Sequence, residues 1–157
     1  MIRWLWLSLI VVALDQISKQ LVESNLLVFE TLPLLSWLNL TLAYNEGAAF
    51  SFLSDQDGWQ RWFFVALAVT VSIVLVVWLS RLNRSERLVA TALSLLLGGA
   101  LGNMIDRLRF GHVVDFIDVY YRQWHWPAFN VADSAITVGV ILMLWDAARS
   151  GKENRKL

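Results

Sequence analysis

The sequence predicts an all-α membrane protein with four transmembrane helices, a small extracytoplasmic β-sheet and a short interfacial helix. Of its 157 residues, 57% are hydrophobic and only 17% are charged, and the mean hydropathy is +0.54. This composition is too apolar for an ordinary soluble domain. Four long apolar stretches and one stretch of alternating apolar residues are the other observations that predict this fold class.

The first two apolar stretches predict transmembrane helices at about 4–24 and 62–80. In the first stretch the polar residues, Asp15 and Lys19 among them, are concentrated in the second half. This stretch also resembles a secretory signal peptide, but no small-residue cleavage site follows it, so we expect it to remain in the protein. The second stretch has 19 consecutive residues without a charge, enough to span about 28 Å as a helix.

The third and fourth apolar stretches predict helices at about 87–105 and 129–147. The third has 18 consecutive uncharged residues and ends in small residues. Its Gly98 and Gly102 form a GxxxG pair, which we expect to pack against the chain's own helices rather than to join two chains. The last uncharged run has only 12 residues, so the fourth helix has to begin earlier and carry Asp133 into the membrane.

The basic residues predict the orientation of the chain. Eight Lys and Arg residues lie near the two termini and between the second and third helices, whereas four lie in the other two connecting segments. The positive-inside rule then places both termini in the cytoplasm and the segments 25–61 and 106–128 outside. We expect one domain that covers residues 1–157.

The outer segments contain signals for a small sheet at the membrane surface. Apolar and polar residues alternate over 38–45, which is the period of a half-buried strand. Residues 45–47 form a turn signal, and 48–52 could return as a partner strand. In the second outer segment, the apolar neighbours of Asp115 and Asp118 indicate a segment that lies in the interface.

Ionisable groups at membrane depth are costly, so each one is a functional candidate. Several also have a purely structural interpretation. Asp15 and Lys19 are four residues apart and could form only an ion pair. Asp106 and Arg107 could cap the end of the third helix, with the arginine meeting lipid phosphate. Asp133 could be an N-terminal helix cap.

Two carboxylates near the membrane surface favour aspartyl protease chemistry. Two close carboxylates cannot both ionise cheaply, so they share a proton, which leaves one base to activate water and one acid to protonate a carbonyl. A Ser18–Lys19 dyad is disfavoured because adjacent residues on a helix point in different directions. The chain has two histidines, no cysteine and no HExxH pair, so we expect no metal and no cofactor.

Two other classes of function compete with a protease. A small transporter or proton-channel subunit could use Asp15, Lys19 and Asp133 as a relay, but it predicts polar residues through the whole bilayer depth. Helices two and three are nearly free of ionisable groups instead. A non-catalytic scaffold could use its aspartates only to satisfy buried partners, and it would tolerate Asp115→Asn and Asp133→Asn.

Five sequence blocks, in order, resemble the lipoprotein signal peptidase (signal peptidase II) family over nearly the whole chain. The blocks are Asp-Gln-Ile-Ser-Lys at 15–19, Asn-Glu-Gly-Ala-Ala-Phe at 45–50, Gly-Gly-Ala-Leu-Gly-Asn-Met-Ile-Asp-Arg at 98–107, Val-Val-Asp-Phe at 113–116 and Phe-Asn-Val-Ala-Asp at 129–133. The resemblance implies that Asp115 and Asp133 are the catalytic pair. It also implies a set of residues that bind substrate or support the site: Asp15, Lys19, Asn45, Gly47, Asn103, Asp106, Arg107, Asn130 and Ala132.

The resemblance implies a membrane aspartyl endopeptidase that removes the signal peptide from diacylglyceryl-modified prolipoproteins by cutting before the lipidated cysteine. It implies a multi-pass protein of the bacterial cytoplasmic (inner) membrane with its active site near the periplasmic face. Diacylated prolipoproteins and membrane lipid are the expected partners. We expect a monomer and, at zero formal net charge, no nucleic-acid partner. Asp118 adds a third carboxylate to which the sequence assigns no role.

Overall fold

Four long helices form the frame of the protein. The computed structural model describes residues 1–47 and 58–153, the last four of these by backbone alone, so the expected partner strand at 48–52 lies outside the described residues. After a 3-10 helix at Ile2–Trp4, the helices are α1 (Leu5–Asn25), α2 (Trp59–Arg81), α3 (Arg87–Phe110) and α4 (Val131–Glu153). Each is long and apolar enough to cross a membrane, which confirms the four predicted transmembrane helices.

Helix α3 continues past the expected end at residue 105, so Asp106 and Arg107 lie within its last turns. It ends at Gly111, whose φ of 89° is a left-handed conformation that glycine adopts without steric cost. The Gly111 N–H donates to the Arg107 carbonyl at 3.1 Å, as in a common C-terminal cap. The charged residues after the apolar run are therefore part of the helix.

Among the described residues, four strands form one antiparallel sheet in the order β1-β2-β3-β4. They are β1 (Thr31–Leu35), β2 (Leu38–Asn45), β3 (Val113–Tyr121) and β4 (Trp124–His125). The strand predicted at 38–45 is β2, which pairs with β1 on one side and β3 on the other. The β2–β3 pairing places Ala43 opposite Asp115 and Asn39 opposite Asp118.

The segment around Asp115 is part of strand β3. All residues between α3 and α4 are described, and they form strands, turns and irregular structure without a helix. Val114 and Phe116 pack with Leu42 and Val22 in a buried cluster, and β2 supplies hydrogen-bond partners for the backbone. Burial on both faces explains the apolar run in this strand.

Small residues let α3 approach its neighbours closely. A Cβ added to Gly98 would lie 2.9 Å from the Ser8 carbonyl oxygen on α1, and one added to Gly99 would overlap the Ala132 carbonyl oxygen on α4. One added to Gly102 would lie 2.6 Å from a carboxylate oxygen of Asp15 on α1. The GxxxG pair therefore packs against helices of its own chain, as the sequence predicted.

Candidate active site

Asp115 lies on β3 and is only 3% exposed. The Asn45 Nδ2 donates to its Oδ2 at 3.0 Å, and the Asn130 Nδ2 donates to its Oδ1 at 2.7 Å. The two amides come from different elements, since Asn45 ends β2 and Asn130 directly precedes α4. Each carboxyl oxygen thus accepts one hydrogen bond, which fixes the orientation of the group.

The surroundings of Asp115 bring the pKa of its carboxyl close to neutral pH. Burial, assisted by the negative charge of Asp133, raises the pKa of Asp115 from 3.8 to about 7. The hydrogen bonds from Asn45 and Asn130 and the charge of Lys19 oppose this shift. A carboxyl with a pKa near 7 can accept and donate protons at neutral pH, as an acid–base catalyst requires.

Asp133 lies in the first turn of α4 and forms a capping box with Asn130. The Asp133 N–H donates to the Asn130 Oδ1 at 2.9 Å, and the Asn130 N–H donates to the Asp133 Oδ2 at 3.2 Å. The structural interpretation of Asp133 as a helix cap is therefore correct. The same two bonds hold its carboxyl at the start of α4, where its charge acts on Asp115.

Asn103 and Asn130 connect the two aspartates into one network. The Asn103 Nδ2 donates to the Asp133 Oδ1 at 2.8 Å. The Asn130 Nδ2, which binds Asp115, lies 3.2 Å from the Asn103 Oδ1. In residues 1–47 and 58–153 no group of three or more His, Asp or Glu side chains is placed to hold a metal ion. Chemically, the network can hold one proton that the two aspartates share next to a bound substrate.

Lys19 is the centre of a buried ionic cluster. It is 2% exposed, and its Nζ lies 2.8 Å from Asp15 and 2.7 Å from Asp106. It also donates to the Asn103 Oδ1 at 3.0 Å. The Asp15–Lys19 ion pair considered from the sequence is therefore present, with a second carboxylate added. Each of the three ammonium protons therefore has an acceptor. The hydrogen bond to Asn103 holds the side chain that in turn binds Asp133.

The two carboxylates of this cluster bind backbone next to the two site aspartates. The Asp15 Oδ1 accepts the N–H of Ala132, the residue before Asp133, at 2.9 Å. The Asp106 Oδ2 accepts the N–H of Val114, the residue before Asp115, at 3.2 Å. Asp106 is 1% exposed and so does not form an interfacial cap. We call Asp15, Lys19 and Asp106 the brace.

Arg107 points toward the turn after β2 rather than toward lipid phosphate. Its Nη2 donates to the Gly47 carbonyl at 2.7 Å, and its guanidinium lies 4.8 Å from the centroid of the Phe64 ring. The Gly47 N–H donates to the Asn45 Oδ1 at 3.1 Å, which closes an Asx turn. Arg107 and this turn therefore hold Asn45 beside Asp115.

Sequence reasoning missed Gln16 and gave Gly102 only a packing role. The Gln16 Nε2 donates to the Asp106 Oδ1 at 2.7 Å and lies 3.3 Å from both Asp15 and the Gly102 carbonyl. Gln16 thus contacts both carboxylates of the brace. A polar amide within an apolar span, next to Asp15, was the available signal.

Asp118 lies outside the network. It is three residues from Asp115 on the same strand, so its side chain lies on the other face of the sheet. The Asn39 Nδ2 donates to it at 2.8 Å, and the His125 Nδ1 lies 2.9 Å from its Oδ1. Its hydrogen bonds join β2, β3 and β4 and do not reach the site.

Comparison with known proteins identifies the family. The family model described as "Signal peptidase (SPase) II" matches residues 7–149. The lipoprotein signal peptidase of Pseudomonas fluorescens is 54% identical over 151 residues, which are 95% of this chain and 89% of that protein. That of Yersinia pseudotuberculosis is 49% identical over 152 residues, 97% and 90% of the two chains.

Solved structures agree with these relatives. One, described as a bacterial membrane enzyme, has a TM-score of 0.88 at 32% identity and covers 98% of this chain and 92% of its own. A second of the same description has a TM-score of 0.82 at 33% identity and covers 94% of this chain and 93% of its own. The chain belongs to the lipoprotein signal peptidase (signal peptidase II) family.

Proposed function

We propose that Asp115 and Asp133 are the catalytic pair of this peptidase. The chain is an aspartic endopeptidase that removes signal peptides from prolipoproteins, as its family does. One observation carries the assignment of the pair. Two carboxyls from different elements lie in one hydrogen-bonded network, and the charge of Asp133 acts on Asp115 to raise its pKa.

The pair can perform hydrolysis with one shared proton. The ionised carboxylate takes a proton from a water molecule as the water oxygen bonds to the scissile carbonyl carbon. The protonated carboxyl gives its proton to the carbonyl oxygen, which forms a gem-diol. The carboxyl that took the water proton then gives it to the amide nitrogen, and the other carboxylate takes a proton from one gem-diol hydroxyl as the C–N bond breaks. The products are a carboxylic acid and an amine, and the pair again holds one proton. The raised pKa of Asp115, about 7, supports Asp115 as the carboxyl that is protonated before the reaction begins.

The other site residues act as positioning and binding groups in this proposal. Asn45, Asn103 and Asn130 orient the two carboxyls and can offer amide groups to the substrate backbone. The brace and the backbone N–H of Ala132 fix the start of α4. Arg107 and Gly47 fix the turn that carries Asn45.

The position of the pair suits a lipid-anchored substrate. Asp133 lies in the first turn of a membrane-spanning helix, and Asn103 lies in the last two turns of another, so the pair is near one surface of the bilayer. A diacylglyceryl-modified cysteine would be held at that depth by its lipid. The lipid can then supply binding energy remote from the bond that breaks. Cleavage directly before this cysteine, which the family resemblance implies, is part of the same proposal.

The basic residues support a definite orientation in the bacterial inner membrane. The positive-inside rule favours both termini in the cytoplasm, with the sheet and the catalytic pair on the periplasmic side. In this proposal residues 1–157 act as one domain and as a monomer, with membrane lipid as surroundings and no nucleic-acid partner. Family membership favours the peptidase over the transporter and scaffold alternatives.

The decisive experiment measures cleavage of a diacylated prolipoprotein in detergent, with a chelator present. The parent is compared with Asp115→Asn, Asp133→Asn and Asp118→Asn. Asp118 is the matched control because it is a buried carboxyl on the same strand whose partners are Asn39 and His125. We expect the parent and the control to cut before the lipidated cysteine.

The two site variants should lose activity by at least about 1,000-fold while keeping their helix content, because each removes a group that transfers a proton. Cleavage by either variant at the rate of the control would show that the pair is assigned wrongly. Loss of activity in all variants, Asp118→Asn included, would show that a buried carboxyl in this sheet is needed for folding rather than for chemistry.

A further inference from the structure

A groove at the other end of the bundle has no part in the proposed reaction. Its volume is about 570 Å³, and it is lined by Arg3, Trp4, Trp6, Leu7, Ile10 and Arg87. Volumes of roughly 300–1,000 Å³ are typical of small-molecule sites. Arg87 begins α3 and Asp106 lies near its end, so about 19 residues or about 28 Å of helix separate the groove from the brace.

The lining of the groove has two chemically different parts. Arg3 lies in the 3-10 helix that precedes α1, and Arg87 is the first residue of α3, so both cations lie at the same end of the bundle. Leu7 and Ile10 continue from that end along α1, toward the middle of the span. The groove is therefore cationic at the membrane surface and apolar toward the membrane interior.

We propose that this groove binds an anionic phospholipid, with the phosphate between Arg3 and Arg87 and an acyl chain along Leu7 and Ile10. Arginine matches the geometry of phosphate through two parallel hydrogen bonds. Within the described part of the chain, neither arginine has an ion-pair partner. Both are therefore available to a ligand.

Two neighbouring features favour the same ligand. Trp6 is 71% exposed beside the groove, and tryptophan side chains prefer the headgroup level of a bilayer. Helix α3 begins at Arg87, and the backbone N–H groups of a first helical turn carry positive partial charge. A phosphate at the mouth of the groove would meet this charge as well as the two guanidinium groups.

The test measures the affinity of the detergent-purified protein for phosphatidylglycerol, phosphatidylcholine and inorganic phosphate, for example by native mass spectrometry. In this proposal each of the two groove arginines contacts the phosphate directly, and such a contact contributes about five-fold in affinity for anionic lipid. The double variant Arg3→Gln/Arg87→Gln should therefore bind phosphatidylglycerol about 30-fold more weakly than the parent. The matched control is Arg81→Gln/Arg84→Gln, which removes two exposed arginines near the same end of the bundle that do not line the groove.

We expect this control and the parent to bind phosphatidylglycerol equally and to prefer it to phosphatidylcholine. Ile10→Trp keeps both arginines and fills the apolar part, so it should also weaken binding, which covers the case of a poorly folded double variant. Unchanged binding by both groove variants would overturn the proposal. So would an equal loss in the control, or displacement of the lipid by inorganic phosphate, since the acyl chain is part of the proposed ligand.

Discussion

Replacing Lys19 by Met tests whether the brace holds the site together. Met keeps most of the apolar stem and removes the ammonium group that contacts Asp15 at 2.8 Å and Asp106 at 2.7 Å. Both aspartates are buried, at most 1% exposed as whole residues, so water cannot replace the lost cation. The bond to Asn103, which holds Asp133, is lost at the same time.

The expected effect is large because the cluster is buried. Removing one partner of a buried ion pair typically costs about 3–5 kcal/mol, whereas an exposed pair is worth about 0–1 kcal/mol. In a chain of this size each kcal/mol shifts the unfolding temperature by about 2–4 °C. Lys19→Met should therefore unfold on the order of 10 °C below the parent, and its cleavage rate should fall because Asn103 loses a bond.

Unfolding can be followed in detergent through the nine tryptophans. The control is Arg81→Met, which removes an exposed cation. Adding Asp15→Asn to Lys19→Met should recover part of the loss. The amide oxygen can still accept the Ala132 N–H, and the NH₂ group takes the place of the oxygen that lost its cation. If Lys19→Met unfolds at the temperature of the control, or if the second substitution lowers stability further, the brace does not carry the structural role assigned to it.

Two more predictions follow from the site. The folded pKa of Asp115, about 7, lies above its unfolded value of 3.8, so this group's contribution to stability is lost as the pH rises between these values. The unfolding temperature should therefore decrease from pH 4 to pH 7, and this slope should flatten in Asp115→Asn; an unchanged slope would contradict the shift. Gly102→Ala places a Cβ 2.6 Å from Asp15 and should cost about 1–3 kcal/mol through overpacking. Thr91→Ala, which loses only a bond to the carbonyl of Arg87 on its own helix, should cost much less in the same unfolding assay.

The sequence was most informative about the helices and about contacts within one helix. Asp15 and Lys19 are four residues apart, so their ion pair follows from helical geometry alone. The bond from Ala132 to Asp15 joins residues 117 positions apart, and no local pattern encodes such a pairing. The family motifs brought both residues into the candidate site, but the role of each came only from the packing of α1 against α4.

Strand β3 shows why one element was not predicted as a strand. A strand with one buried face and one exposed face alternates apolar and polar residues, and β2 does so. In β3 the four consecutive residues from Val113 to Phe116 are all buried. On one face Val114 and Phe116 pack in the apolar cluster, and on the other Asp115 is bound by two asparagine side chains. Periodicity then disappears, and an apolar run with two aspartates could be taken for a segment in the membrane interface.

Asp133 shows that structural and catalytic interpretations need not exclude each other. The capping box with Asn130 and the bond from Asn103 satisfy the helix end and also orient the carboxyl. The brace also combines two roles. Asp15 and Asp106 neutralise Lys19, and each also binds the backbone N–H just before one of the proposed catalytic aspartates. Because Lys19 joins these two carboxylates, a displacement of α4 relative to β3 would break at least one buried charged contact. The separation of the proposed catalytic carboxyls therefore depends on α1, a helix that contributes no group to the pair itself.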